Sequence, residues 1–203
     1  CTAIANNLSN TLDLPAVMSI GASAFAGCTS VITINLGSNI NSLGDQALNN
    51  PELKTISVGA GNQKFVVDSG VLYGLTGEVK TTLILCPANN SYFAANSITE
   101  FTVPSTISSI SAYAFQHSRL SKAILSSVTL DLRIGDYAFS ESSLTSMSFS
   151  QGTLESLGAY AFYNCDCLAT LSITDTNVGS YGKYAFADCD NLTAVTIPIS
   201  MRL

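Results

Sequence analysis

The chain has 203 residues, 47% of them hydrophobic and 11% charged, with a net charge of −6. No run of Lys or Arg offers the positive stripe that follows a phosphate backbone, which excludes nucleic acid as a partner class. No apolar stretch reaches the roughly 20 residues a membrane helix needs, so the chain is not read as membrane-embedded.

In chain order, Cys1 to Pro15 reads as the tail of a repeat, with Leu12-Asp13-Leu14 standing where Ile34-Asn35-Leu36 stands later. From residue 16 the full unit follows as V-x-x-I-G-x-x-A-F, a turn, then L-x-x-I-x-I. An Ala-Phe or Ala-Leu pair marks each return, ending at Phe25, Leu48, Phe115, Phe139, Phe162 and Phe186, in steps of 23, 67, 24, 23 and 24 residues. A fixed period of that size is the mark of a solenoid, and the long step holds one further repeat plus an insertion of about 44 residues.

The second half of each unit alternates apolar and polar residues in the period of a strand, as in Val31, Ile34, Leu36 and Leu168, Leu171, Ile173. Stacked strands of this kind form a parallel sheet with neighbours about 4.8 Å apart. The Ala-Phe segments GASAFAGC, GAYAFYNC and GKYAFADC contain no β-branched residue and are expected to make a helical turn, which places the chain among α/β repeat solenoids. Gly21, Gly44, Gly135, Gly158 and Gly182 stand at the corner before that turn, where a positive φ or a close backbone approach excludes a Cβ. Ser111 takes the same place in another unit, so a positive φ is not required throughout. The marker Phe residues are expected to stack along the solenoid axis. Three residues after the marker lie Cys28, Pro51, Ser118, Ser142, Cys165 and Cys189, a column for small packing residues.

Residues 59–97 leave the period. Phe65-Val66-Val67, the Asp68-Ser69-Gly70 turn, Val71-Leu72-Tyr73, a Gly74 to Gly77 loop and Thr81 to Leu85 read as a hairpin or three-strand elaboration that lengthens or projects from one coil. Repeats resume over 98–203. The strand LSKAIL, Leu120 to Leu125, breaks pattern: Ala123 falls at a buried position and Ile124 at a solvent-facing one, so the strand is either bulged or exposes an apolar side chain. No polar cap adjoins Cys1 to Pro15 or TIPISMRL, so residues 1–203 are read as a single solenoid belonging to a longer array.

The sequence offers no catalytic residue, metal ligand set or cofactor site. His117 is the only histidine and has no nucleophile motif beside it. Cys165 and Cys167, with Cys189 one coil away, suit a packing column or an inter-coil disulfide, and zinc would want a fourth ligand. Asp166, Asp188 and Asp190 supply too few oxygens for calcium. Asn7, Asn89 and Asn191 begin glycosylation acceptor patterns. The candidate binding face is the set of strand residues pointing away from the core: Asn35, Ser57, Glu100, Thr102, Lys122, Ile124, Ser148, Ser172 and Thr196. This face of short hydroxyls, interrupted at Glu100, Lys122 and Ile124, reads either as a solvated ladder or as a surface for weak multivalent recognition.

Aligned, the units give I-G-x-x-A-F-x-x-C-x-x-L-x-x-I-x-I-P, which resembles the BspA-like leucine-rich repeat family over nearly the whole chain. GASAFAGCTSVITINL, GAYAFYNCDCLATLSI and GKYAFADCDNLTAVTIP carry the resemblance most clearly, and Asn62, Phe65, Gly70-Val71-Leu72-Tyr73 and Pro87 are similar to a longer coil that recurs in that family. The resemblance implies a right-handed leucine-rich-repeat coil with a parallel sheet on one face, helical turns and short strands elsewhere, and one β-rich insertion. It further implies a non-enzymatic interaction module, secreted or on a cell surface, that adheres to host matrix proteins or other cells. The alternatives are a structural spacer and a glycan-binding module. No family binding residue carries over onto these positions.

Overall fold

The alternating segments emerge as short parallel strands in a computed structural model that describes residues 10–125, 131–149, 152–173 and 176–196. The chain separates into two units, Cys1–Ser97 and Ile98–Leu203. Each is a β-solenoid segment, and among the described residues only one α-helix, of five residues, occurs.

The first unit contains β1 (Thr11–Leu14), β2 (Ser19–Ile20), β3 (Thr33–Leu36), β4 (Ser42–Leu43), β5 (Thr55–Val58), β6 (Phe65–Asp68), β7 (Val71–Thr76), β8 (Val79–Leu85) and α1 (Ser91–Ala95). β1, β3 and β5 pair in parallel without a slip, so Leu12, Ile34 and Ile56 form one column and Leu14, Leu36 and Val58 another. Val31, Ile34 and Leu53 are fully enclosed in the resulting core, and each side chain of that size contributes about 1.5–3 kcal/mol of transfer free energy before chain entropy is set against it. The insertion folds as an antiparallel meander, β6 against β7 and β7 against β8, with Ser69 and Gly70 at positive φ in its first turn. Phe65, Leu72 and Leu85 join the same core. α1 is capped by Asn90, whose side-chain oxygen accepts from the amides of Tyr92 and Phe93 while its side-chain amide nitrogen donates to the Gly70 carbonyl. One asparagine therefore ties the helix cap to the meander turn.

The second unit contains β9 (Glu100–Thr102), β10 (Ser109–Ile110), β11 (Lys122–Leu125), β12 (Leu132–Ile134), β13 (Ser146–Phe149), β14 (Gly152–Leu157), β15 (Thr170–Ser172), β16 (Thr176–Val178) and β17 (Ala194–Thr196). β9, β11, β13, β15 and β17 form one parallel sheet. β10, β12, β14 and β16 form a second parallel array, with one register shift between Leu132 and Arg133. The out-of-pattern strand is not bulged. Ala123 sits fully buried in register between Phe101 and Met147. Ile124 points outward between Thr102 and Ser148 and is half-buried.

The Ala-Phe segments are not the expected helical turns, and the described fold is all-β but for α1. Their amides alternate between two destinations. Ala24, Ala26 and Cys28 donate three residues back, to Gly21, Ser23 and Phe25, while Ser23, Phe25 and Gly27 donate to Asp45, Ala47 and Asn49 of the following coil. The second unit repeats the scheme: Tyr113, Phe115 and His117 donate onward to Asp136, Ala138 and Ser140. A right-handed helix would consume every amide internally. Here a left-handed residue every fourth position prevents that, at Ser23 and Gly27, Tyr113 and His117, Tyr137 and Glu141, Tyr160 and Asn164, and Tyr184 and Asp188. The turns thus ladder between coils much as the strands do.

The corner glycines answer to close approach rather than to φ. A Cβ on Gly158 would meet the Gly135 carbonyl carbon at 2.4 Å, and one on Gly182 would meet the Ala159 nitrogen at 2.2 Å. No Cβ survives such contact with a neighbouring backbone. Gly21 has nothing described within 4 Å. Beside this corner the Phe column stacks as expected: Phe115 on Phe139 at 4.9 Å and 7°, Phe139 on Phe162 at 5.1 Å and 4°, and Phe162 on Phe186 at 5.5 Å and 13°.

Candidate interaction faces

Two of the nine sequence-selected residues, Asn35 and Ser57, lie on the first unit. In-register pairing sets Asp13, Asn35 and Ser57 side by side on the outer face of β1, β3 and β5. Asn35 donates to Asp13 Oδ1 at 2.6 Å and Ser57 donates to Asn35 Oδ1 at 2.7 Å. These two hydrogen bonds link the three side chains in one chain across the face.

The other seven lie together on the outer face of the five-stranded sheet of the second unit. Thr102, Ile124, Ser148, Ser172 and Thr196 are consecutive partners in one row, and Glu100 and Lys122 begin the adjacent row that continues through Ser146 and Thr170. Lys122 Nζ stands 3.8 Å from Glu100 Oε2 with both side chains well exposed, a pair that contributes at most about 1 kcal/mol and leaves the charges free to meet a partner. The sheet thus presents an even comb of hydroxyls with an apolar and a charged interruption at one end.

Sequence reasoning missed a second row. The residue before each marker Ala is tyrosine in four consecutive coils, and the rings stack: Tyr113 on Tyr137 at 5.0 Å and 8°, Tyr137 on Tyr160 at 4.9 Å and 6°, and Tyr160 on Tyr184 at 5.1 Å and 24°. Tyr163 packs edge-on against Tyr160 at 5.6 Å. The first three ladder rings are half-buried, and Tyr184 is 63% exposed. Burial holds the Tyr113 hydroxyl above its ordinary pKa, and a hydrogen bond to Asp188 does the same for Tyr163, so these hydroxyls stay protonated donors at neutral pH. The signal was the recurrent Y-A-F triplet.

Between β10, β12, β14 and Tyr181 runs a groove of about 540 Å³, lined by the glycine corner with Arg133, Asp136 and Tyr181. Arg133 is engaged by Glu155 at 2.7 Å, and Asp136 accepts from the Ala159 amide at 2.7 Å. The Tyr181 hydroxyl is buried without a partner among the described residues. A second groove of about 350 Å³ lies beside β5 and β6 in the first unit.

The remaining chemistry-bearing residues fall in structural places. His117 occupies a left-handed turn position with Nδ1 3.5 Å from Glu141 Oε2. Asp166, Asp188 and Asp190 are exposed on turns, and among the described residues no three His, Cys, Asp or Glu are grouped to hold a metal ion. In the cysteine column, Cys28 is fully buried and disulfide-bonded, Cys165 is buried and Cys189 half-buried, both as free thiols. Cys86 lies in the first unit's insertion, where complete burial raises its thiol to about 12. Asn89 donates to the Pro51 carbonyl at 2.9 Å and Asn191 to the Asp166 carbonyl at 2.5 Å, so both glycosylation candidates are engaged in coil-to-coil hydrogen bonds; Asn7 lies outside the described residues.

No helix among the described residues is long and apolar enough to cross a membrane. The chain is similar to a leucine-rich repeat protein from Eubacterium ventriosum, at 24% identity over 93% of this chain and 55% of that one with a TM-score of 0.67. It is similar to the pneumococcal vaccine antigen PcpA, at 24% identity over 91% of this chain and 50% of that one with a TM-score of 0.74. A leucine-rich cell surface protein from Faecalibacterium prausnitzii shares 19% identity over 95% of this chain and 60% of that one, with a TM-score of 0.63. At these identities the likeness is one of fold, and the chain spans 50 to 60% of the length of these structures. No curated protein matches it. The model of the BspA-type leucine-rich repeat region matches in six copies over residues 3–69 and 88–202, and the chain belongs to that family.

Proposed function

We propose that this chain is a non-enzymatic protein-interaction module of a cell-surface or secreted protein, which adheres to host matrix proteins or other cells through the outer sheet face of its second unit. The observation that carries the reading is the unbroken register from Glu100–Thr102 to Ala194–Thr196. It repeats one side-chain row over five strands, so a partner with its own repeat could be gripped many times weakly. An extended protein or a glycan of regular spacing is the matching ligand chemistry. The buried disulfide at Cys28 supports an oxidising, extracellular setting, and the likeness to bacterial surface proteins supports the same placement. Immobilised host matrix proteins and glycans, screened by surface plasmon resonance with the folded chain, test the proposal. Saturable binding to one class is the expected outcome, and uniform absence of binding favours a spacer between other domains of the parent protein.

A second reading places the contact on the tyrosine ladder. Tyrosine is enriched at binding hot spots, which the hydroxyl comb lacks, and the rings of Tyr113, Tyr137, Tyr160 and Tyr184 form one row.

A further inference from the structure

We propose that Cys165 and Cys189 form a dithiol pair that closes to an inter-coil disulfide in an oxidising environment, which makes the turn column of the second unit a redox-modification site. Both cysteines stand at the same place in consecutive coils, three residues after Phe162 and Phe186. The coils are clamped immediately ahead of them, where Phe162 donates to Ala185 at 2.8 Å and Asn164 to Ala187 at 3.0 Å. Both side chains also turn the same way along the column. Cys165 Sγ donates to the Phe139 carbonyl at 3.0 Å and Cys189 Sγ to the Phe162 carbonyl at 2.9 Å. Ser142 Oγ lies 3.5 Å from Cys165 Sγ, and Cys165 and Cys189 take the next step of the same column, close enough for each thiol to shift the other's titration. Laddered neighbours about 4.8 Å apart fall within the Cα separation of about 4.4–6.8 Å that a disulfide spans.

The two thiols have unequal roles. Cys189 is half-buried and reachable, whereas Cys165 is sealed. The neighbouring thiol and backbone of Cys165 lower Cys189 to about 7, against burial and the charges of Asp166 and Asp188. The neighbouring Cys189 sulfur, with burial, holds Cys165 above its ordinary range. The oxidant is a low-molecular-weight disulfide. The Cys189 thiolate attacks one of its sulfurs, the small S–S bond breaks, one small thiolate leaves, and a mixed disulfide stands on Cys189. Cys165 then gives its proton to the departed thiolate and attacks the Cys189 sulfur, expelling the second small thiolate. Two protein thiols lose two electrons, and the small disulfide is reduced to two thiols.

The test equilibrates the full chain with oxidised and reduced glutathione, quenches in acid, alkylates remaining thiols in denaturant and maps peptides without reduction. Cleavage before aspartate separates Cys165, Cys167 and Cys189, because Asp166 and Asp188 intervene. The expected result is a Cys165–Cys189 link with Cys86 and Cys167 still alkylated, retained in C167S, and arrested as the Cys189 mixed disulfide in C165S. Serine already occupies this column at Ser118 and Ser142, so C165S keeps the fold, as a melting curve by circular dichroism checks. Full alkylation of Cys165 and Cys189 under an oxidant ratio that modifies Cys167 overturns the proposal, as does a Cys167–Cys189 link in its place.

Discussion

Replacing Gly158 by alanine sets the coil-to-coil spacing against one methyl group. The added Cβ would lie 2.4 Å from the Gly135 carbonyl carbon, 2.5 Å from the Asp136 nitrogen and 2.6 Å from the Gly135 oxygen. Ordinary contact begins near 3.4 Å, so neighbouring coils must part by roughly 1 Å against packed surroundings. The hydrogen bonds on either side, Gly158 to Ile134 at 2.8 Å and Tyr137 to Ala159 at 3.0 Å, would stretch with them. Overpacking of this kind costs about 1–3 kcal/mol, and each weakened hydrogen bond adds about 0.5–1.5 kcal/mol. A loss of about 3 kcal/mol lowers the melting temperature of a chain this size by roughly 6–12 °C. Gly21→Ala is the matched control, because no described atom lies within 4 Å of its Cβ and its φ is not left-handed. There alanine restricts the unfolded chain and stabilises by about 0.4–1 kcal/mol. Thermal and urea unfolding of both variants decides the matter. If Gly158→Ala melts within about 2 °C of the parent, or Gly21→Ala loses as much, the close-approach account of the corner is wrong.

Phe139→Ala removes the middle ring of the stack, where both neighbours lie about 5 Å away, and should cost about 3–5 kcal/mol in urea unfolding. Asn50→Ala strands the buried carbonyls of Cys28 and Val31, which its side chain holds at 2.9 and 2.6 Å, and should cost about 2–3 kcal/mol by the same measurement. The rate of Cys189 alkylation in the reduced chain should rise with pH about a midpoint near 7 and fall away below it, since the reactive thiolate is lost as pH drops through the lowered pKa. Cys165→Ala removes the neighbouring thiol, the largest lowering cause, and should move that midpoint up toward the ordinary value of 9.

The strand columns, the Phe stack and the corner glycines were legible because each answers to a short rule of periodicity or volume. Ile34 over Ile56, Phe115 over Phe139, and the tight corner at Gly158 all follow from repetition of one unit. The turn was misread for a physical reason. Ala, Phe and Tyr without β-branched neighbours suit a helix, and the left-handed residues that forbid one include tyrosines, which rarely adopt that conformation. Gly27, Asn164 and Asp188 carried the contrary signal, since those types tolerate positive φ. The tyrosine ladder stayed hidden with the turn. The laddered turn brings each ring to about 5 Å from its counterpart one coil later.

The proposed sheet face is tested most directly by placing charge in its uncharged row. Ser148→Lys with Ser172→Lys places two cations in the middle of the row formed by Thr102, Ile124, Ser148, Ser172 and Thr196 without touching the buried columns. Surface plasmon resonance against the ligand class found in the screen should show affinity reduced by at least about tenfold, with the melting temperature unchanged. Tyr184→Ser, on the exposed end of the aromatic ladder, should bind as the parent does. Unchanged binding by the lysine variant, together with loss in Tyr184→Ser, would contradict the sheet face and assign recognition to the ladder.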